Sequence, residues 1–89
     1  MKLLVLYRDK SDHAREVLDF KETMRRRYPE REVTLMDIDT RDGAAEAVLY
    51  DVVRYPAVLV LDDIGRVNYL SQGMPMPLID EVLGGLLGY

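Results

Sequence analysis

The sequence predicts an α/β protein in which one mixed sheet lies between two layers of helices. Two continuous apolar runs, KLLVLY at 2–7 and AVLVLD at 57–62, have the pattern of strands that are buried on both faces. Segments with helical periodicity alternate with the strands, and such an order builds sheets with crossover helices. Since the chain has only 89 residues, we expect a single domain over 1–89.

The first apolar run is followed by a predicted amphipathic helix that ends at about Tyr28, before Pro29. Ser11 or Asp12 is expected to cap its amino end, because both side chains can accept hydrogen bonds from the first turn. One arc of the helical wheel should pack on the sheet, since it is apolar while the opposite side is charged. This arc contains Phe20, Met24, Val17, Tyr28, Ala14 and Leu18.

The middle of the chain predicts a second strand and a second helix. The segment 31–39 alternates only partly between apolar and polar residues, which suits a strand at the edge of a sheet. An Ala-rich helix follows over 41–53, and we expect the chain to enter it through a loop at Asp42 and Gly43.

The last third predicts a hairpin and a final helix. A turn at 63–65 joins the run at 57–62 to a more polar strand at 66–71. The final helix covers about 77–87. Its apolar side contains Leu78, Val82, Leu86, Ile79, Leu83 and Leu87.

The predicted element order is therefore β-α-β-α-β-β-α, folded as a three-layer sandwich. The two apolar runs should be the central strands, so the four-stranded sheet has the order 2-1-3-4. The first two strands should be parallel, joined by a right-handed crossover, and the hairpin adds antiparallel strands. The first and third helices should lie on the same face of the sheet.

Composition narrows the class of partner. A formal net charge of −4 disfavours nucleic acid, which attracts basic surfaces. The basic run Arg25–Arg27 is better explained by the carboxyl end of the first helix, with Glu22 and Arg26 as an ion pair. The apolar run Leu3–Leu6 is too short for a signal peptide or a membrane span. We therefore expect a cytoplasmic location, with neither nucleic acid nor a membrane as partner.

The second half of the chain resembles thioredoxins. IDTRDG at 38–43 is similar to their strand end and loop, and YDVVRYPAVLVLDDIGRV at 50–67 follows their helix, proline, strand and turn without a gap. Pro56 falls at their cis-proline, and Gly73 falls at the glycine after their last strand. The resemblance implies a thioredoxin-like fold, which glutaredoxins share. It also implies a cis bond between Tyr55 and Pro56, although most X-Pro bonds are trans.

The resemblance also shows what this chain lacks. Ser11, Asp12, His13 and Ala14 occupy the positions of the Cys-x-x-Cys motif, and Val5 takes the place of the buried acid. The chain contains no cysteine, and disulfide exchange requires attack by a thiolate. We therefore expect a redox-inactive protein that is not an enzyme and needs no cofactor.

The segment between the first strand and the first helix also contains residue types that serve in hydrolysis, metal binding and anion binding. Ser11, Asp12 and His13 are consecutive, and neighbouring residues that enter a helix point about 100° apart, which does not form a hydrolytic triad. His13 is the only histidine and has no companion ligands, so we expect no metal site. Arg8 and Lys10 could hold an anion at the helix start, or could simply lie in a solvated loop.

The favoured hypothesis is a protein- or peptide-binding module that uses the former active-site groove. Tyr55 and Met74 should flank this groove, because exposed tyrosine and methionine make adaptable contacts. Pro56 lies between them in the fold, and His13 adds one titratable group. The alternative is that some of these side chains pack beneath the loop. We expect a monomer or a weak homodimer that binds another protein.

A second hypothesis is binding of glutathione or a small anion. Glutathione transferases begin with the same fold and use a tyrosine or serine after the first strand to stabilise a thiolate. Tyr7 and Ser11 are near that position. The helical domain that completes the transferase substrate site has no counterpart in this sequence.

Overall fold

The computed structural model describes residues 2–87, and side chains within residues 2–84. The elements follow the predicted order, and their bounds differ from the predicted ones by a few residues. They are β1 Lys2–Tyr7, α1 Ala14–Arg27, β2 Val33–Asp37, α2 Arg41–Leu49, β3 Ala57–Leu61, β4 Val67–Gln72 and α3 Ile79–Leu87.

The four strands form one mixed sheet in the order β2-β1-β3-β4, as predicted. β1 pairs in parallel with β2, and Tyr7 lies opposite Asp37. β3 is antiparallel to both of its neighbours, so that Ala57 lies between Leu6 of β1 and Gln72 of β4. The carboxyl ends of β1, β2 and β4 therefore meet the amino end of β3 at one end of the sheet.

Side chains of β1 and β3 build a core layer on each face of the sheet. Alternate residues point to opposite faces of a strand. Leu3, Val5 and Tyr7 therefore join the core that α1 and α3 cover, while Leu4 and Leu6 join the core that α2 covers. The prediction that the first and third helices share a face is confirmed. Burial of one such leucine is worth about 1.5–3 kcal/mol.

The apolar arcs predicted for two helices are correct at their centres and wrong at their margins. Val17, Phe20 and Met24 are buried, as is Val82 of α3. Leu18 is 49% exposed, because it lies about 100° around the helix from Val17. Leu78, which precedes α3, is also exposed. The side chains of Leu86 and Leu87 lie outside the described residues.

The start of α1 also differs from the prediction. His13, not Ser11 or Asp12, is the residue before the first turn, and its side chain makes no capping hydrogen bond. Ser11 instead donates its hydroxyl proton to the carbonyl of Arg8. At the other end of the helix, Glu22 pairs with Arg25 at 2.6 Å, where the sequence predicted Arg26.

Helix α2 begins at Arg41, as predicted, but it has no entry loop at Asp42 and Gly43, and it ends earlier than predicted. Asp42 and Gly43 lie inside its first turn, since Thr40 is the cap residue and its hydroxyl accepts a hydrogen bond from the Gly43 amide. The helix ends at Leu49, four residues before the predicted end. Asp51 follows with φ of 56°, a left-handed conformation that aspartate tolerates better than most residues. It turns the chain so that Val52 is buried.

The turn between β3 and β4 is held by one carboxylate. Asp62 accepts hydrogen bonds from the backbone amides of Ile64 and Arg66 and from the Arg66 guanidinium, all near 2.9–3.0 Å. These bonds lower the pKa of Asp62, the Arg66 amide being the largest cause. Gly65 has φ of 86°, which suits glycine. Within residues 2–87, no helix is long and apolar enough to cross a membrane.

Any side chain at position 43 should destabilise the protein, because α2 packs directly on the end of β2. A β-carbon at this position would lie 2.0 Å from the carbonyl oxygen of Asp37. Gly43→Ala must therefore displace backbone, and we expect it to lower the free energy of unfolding by about 1–3 kcal/mol, as overpacking does. Urea denaturation measures this change.

The matched control is Gly84→Ala in α3, where an added β-carbon would meet no atom within 4 Å. This substitution should stabilise the protein by up to about 1 kcal/mol, since alanine favours helix. Equal effects of the two substitutions would contradict the close approach at Gly43.

Candidate functional site

Three loops meet at the end of the sheet where β1 ends and β3 begins. They cover residues 8–13, 53–56 and 73–74, and we call them the loop cluster. The registers of the strands bring them together, because Tyr7 ends β1 while Ala57 and Gln72 face one another across β3 and β4. The loop cluster therefore contains or adjoins all the residues that the sequence indicated for binding.

Pro56 joins two of the three loops. It is fully buried, and its carbonyl accepts a hydrogen bond of 2.9 Å from the amide of Gly73. Gly73 has φ of 81°, a conformation that favours glycine. The Tyr55–Pro56 bond is cis, and so is the Met74–Pro75 bond, which no sequence observation indicated.

Gln72 holds the loop before Pro56, a role that sequence reasoning missed. Its side-chain oxygen accepts hydrogen bonds from the amides of Val53 and Arg54, at 2.8 and 3.1 Å. One side chain at the end of β4 thus satisfies two backbone donors that lie 18 and 19 residues earlier in the sequence. A glutamine at the end of a polar strand carries no sequence signal for this contact.

The loop at 8–13, between β1 and α1, is held by hydrogen bonds from its own side chains. The amide of Arg8 donates a hydrogen bond of 2.9 Å to Nε2 of His13. The Ser11 hydroxyl donates to the Arg8 carbonyl. The Arg8 guanidinium lies 3.5 Å from the carboxylate of Asp39, with both side chains about half exposed. Ser11 and His13 therefore fix the loop backbone.

Tyr7 is buried, and its hydroxyl is already engaged. The side chain is 8% exposed, and the hydroxyl donates to the Asp9 carboxylate at 3.3 Å. Burial raises the pKa of Tyr7, and the nearby charge of Asp9 raises it further. The phenol thus stays protonated, with its proton directed at Asp9 and not toward a ligand.

Tyr55 and Tyr7 lie on opposite faces of the sheet. Tyr55 is partly buried against the core beneath α2, and its hydroxyl donates to the carbonyl of Val52 at 3.2 Å. Tyr7 belongs to the core beneath α1 and α3. Met74 is 52% exposed. The structure therefore brings Tyr55, Pro56 and Met74 to one loop cluster, but it does not bring Tyr7 and Tyr55 into one pocket.

A shallow cavity of about 430 Å³ extends the site from Tyr55 toward α2. Val48 and Val53 are 82% and 73% exposed at its wall. Sequence reasoning placed both valines in one helix and missed this surface, because α2 ends before Val53. We call this space the α2 cavity. Its lining comprises Arg8, Ile38, Ala44, Ala47, Val48, Asp51, Val52, Val53 and Tyr55.

The α2 cavity is mainly apolar. Two of its nine lining residues are charged, Arg8 and Asp51, and their charges are opposite. Among the described side chains, no group of three or more histidine, aspartate or glutamate residues could hold a metal ion. The site thus offers apolar surface, with backbone groups of three loops around it.

Comparison with known proteins establishes the fold. No protein-family model matches the chain, and no curated protein matches it significantly by sequence. The structure is similar to that of thioredoxin 1 from Thermosipho africanus, with a TM-score of 0.71 and 18% sequence identity. The alignment covers 100% of this chain and 93% of that thioredoxin. The chain therefore has the thioredoxin fold, without the cysteines of the Cys-x-x-Cys motif.

Replacement of Gln72 should loosen the loop before Pro56 without unfolding the protein. Gln72→Ala removes the acceptor of two amides, and water can reach them, so we expect a loss of about 1 kcal/mol in stability. The amides of Val53 and Arg54 should exchange faster with solvent in NMR hydrogen exchange. Gln72→Glu is the control, since a carboxylate keeps the acceptor oxygens. Unchanged exchange in Gln72→Ala would show that the side chain does not hold the loop.

Proposed function

We propose that this protein is a redox-inactive binding module that holds an extended apolar segment of another protein. The binding surface comprises the loop cluster and the α2 cavity. The observation that carries the proposal is the exposure of Val53 and Met74, at 73% and 52%, on two loops of the same cluster. Large exposed apolar side chains that adjoin a concave surface are typical of interaction sites.

Val53 links the α2 cavity to the loop cluster. Val53 and Val48 line the α2 cavity together with Tyr55. Val53 is tied to the end of β4 through Gln72, and Gly73 and Met74 follow directly. The loops are held by hydrogen bonds of their own, so the entropy lost on binding is reduced.

The charges of the site indicate the chemistry of the partner segment. Arg8 and Asp51 contribute one charge of each sign to the α2 cavity, and Arg8 already faces Asp39 at 3.5 Å. The exposed loop-cluster residues Asp9, Lys10, Asp12 and Arg54 add two charges of each sign, so the site has no net charge to attract a strongly acidic or basic ligand. An apolar segment with few charges therefore fits best, with hydrogen bonds from its backbone.

The absence of enzymatic activity is part of this proposal. A chain without cysteine offers no thiolate for disulfide exchange. The proposal does not extend to glutathione, because the two hydroxyls that could support its thiolate, those of Tyr7 and Ser11, donate to Asp9 and Arg8. A cytoplasmic location also belongs to the proposal, and fractionation of native cells with an antibody against the chain tests it.

Redox and glutathione assays test the non-catalytic part of the proposal. The protein should reduce insulin disulfides no faster than buffer with dithiothreitol alone, since it has no thiol to relay electrons. Glutathione should leave the melting temperature unchanged, whereas a ligand at 100 times its dissociation constant would add about 2.7 kcal/mol. Reduction above the blank by a preparation free of thioredoxin, or stabilisation by glutathione, would contradict this part.

Selection of a displayed peptide library tests the binding part. The selected peptides should be apolar, and amide shifts on binding should concentrate in the loop cluster and the α2 cavity. Val53→Lys and Met74→Lys should each weaken binding about tenfold, because each places a charge in an apolar contact.

The matched control is Ile64→Lys. Ile64 is 75% exposed but lies in the turn at the opposite end of β3 and β4, so its replacement should leave the affinity unchanged. Shifts confined to α1 and α3, or equal losses in all three variants, would locate binding elsewhere.

A further inference from the structure

We propose that β4 pairs antiparallel with β4 of a second copy of this chain, so that two sheets join at their edges. β4 has a strand partner on one side only, since it is the last strand in the order β2-β1-β3-β4. An edge strand presents backbone N–H and C=O groups that a further strand can bond. This inference does not depend on the proposed function, because it concerns the edge of the sheet and not the loop cluster.

The two edges of the sheet differ in how they are protected. Natural edge strands are commonly blocked by charged residues or proline. β2 ends in Asp37 and is preceded by Arg31 and Glu32. β4, with the sequence VNYLSQ, contains neither a charge nor a proline. β4 is thus the edge without a chemical block, and its register irregularity lies at its amino end, between Val67 and Tyr69.

β4 also carries exposed apolar side chains. Leu70 and Val67 are 40% and 43% exposed, and no residue of β4 is buried. They pair with Leu59 and Leu61, which belong to the core beneath α2, and so they point to that face of the sheet. On the opposite face Tyr69 contacts α3 through a 3.3 Å hydrogen bond to Glu81. No β2 side chain is among the exposed large apolar residues in the described part of the chain.

A second copy fits this edge because β4 is complementary to itself. In an antiparallel pair, residues that lie opposite each other share one face. A two-fold axis at Leu70 places the two Leu70 side chains directly opposite and brings Asn68 opposite Gln72. No charged residue of β4 would face another, since the strand has none.

Electrostatic repulsion between the acidic turns of the two copies would not prevent dimerisation. Asp62 and Asp63 lie before β4, and antiparallel pairing sends the two turns to opposite ends of the paired strands. Six residues of strand separate them by about 20 Å. This exceeds the Debye length of about 8 Å at physiological salt. The negative net charge therefore weakens pairing little at this edge.

The oligomeric state in solution tests the inference. Sedimentation velocity from about 10 µM to about 1 mM should show the wild-type chain passing from monomer to dimer by mass action. Leu70→Lys and Leu70→Glu should each raise the dissociation constant at least about tenfold, because like charges would face each other across the axis. An equimolar mixture of the two variants should form dimers again, since opposite charges then meet.

Two measurements exclude unfolding of the variants and association through a surface other than β4. Circular dichroism and thermal melts must show that both Leu70 variants are folded, and in the wild-type chain the β4 amides should gain exchange protection as concentration rises. Leu18→Lys, which charges an exposed apolar site on α1, should dimerise like the wild type. A wild-type monomer at about 1 mM, an undiminished dimer in Leu70→Lys, or a folded mixture that stays monomeric would each overturn the inference.

Discussion

The pairing of β1 with β3 is the contact on which the other elements depend. Every residue from Leu3 to Tyr7 and from Ala57 to Leu61 is at most 8% exposed. A strand pair buried on both faces requires a cover on each, which α1 and α3 provide on one side and α2 on the other. Loss of a single core leucine typically costs about 2–5 kcal/mol, which is a large part of the stability of a small domain. The same pairing brings the loop cluster together, because Leu6 and Ala57 lie opposite each other at its base.

The chain has the thioredoxin fold without the cysteines of the Cys-x-x-Cys motif, and side-chain hydrogen bonds hold its loops. Ser11 and His13 hydrogen-bond the backbone of Arg8 and close the loop before α1. Gln72 does the same for the loop before Pro56. Polar side chains that could serve a reaction are thus committed to backbone groups. The α2 cavity beside them is lined mainly by apolar residues.

Two of the surfaces with exposed apolar side chains differ in geometry. At the α2 cavity, Val48 and Val53 line a concave surface, which suits an inserted segment, and Met74 is exposed on another loop of the loop cluster. Along β4, Leu70 and Val67 adjoin a backbone edge that has no strand partner, which suits another strand. The two surfaces meet near Gln72, yet they use different contacts, so each can be disrupted by substitutions that leave the other intact.

The sequence by itself determined the sheet, its strand order and the lack of thiol chemistry. Continuous apolar runs at 2–7 and 57–62 leave few alternatives to central strands, and a chain without cysteine has no thiolate. Only the tertiary structure decided where α2 ends, which side chains hold the loops, and that Tyr55 faces away from Tyr7. These features depend on contacts between residues far apart in sequence, such as the hydrogen bond from the Val53 amide to Gln72. A local sequence pattern predicts periodicity and turns. It does not predict which backbone groups elsewhere in the chain a side chain will contact.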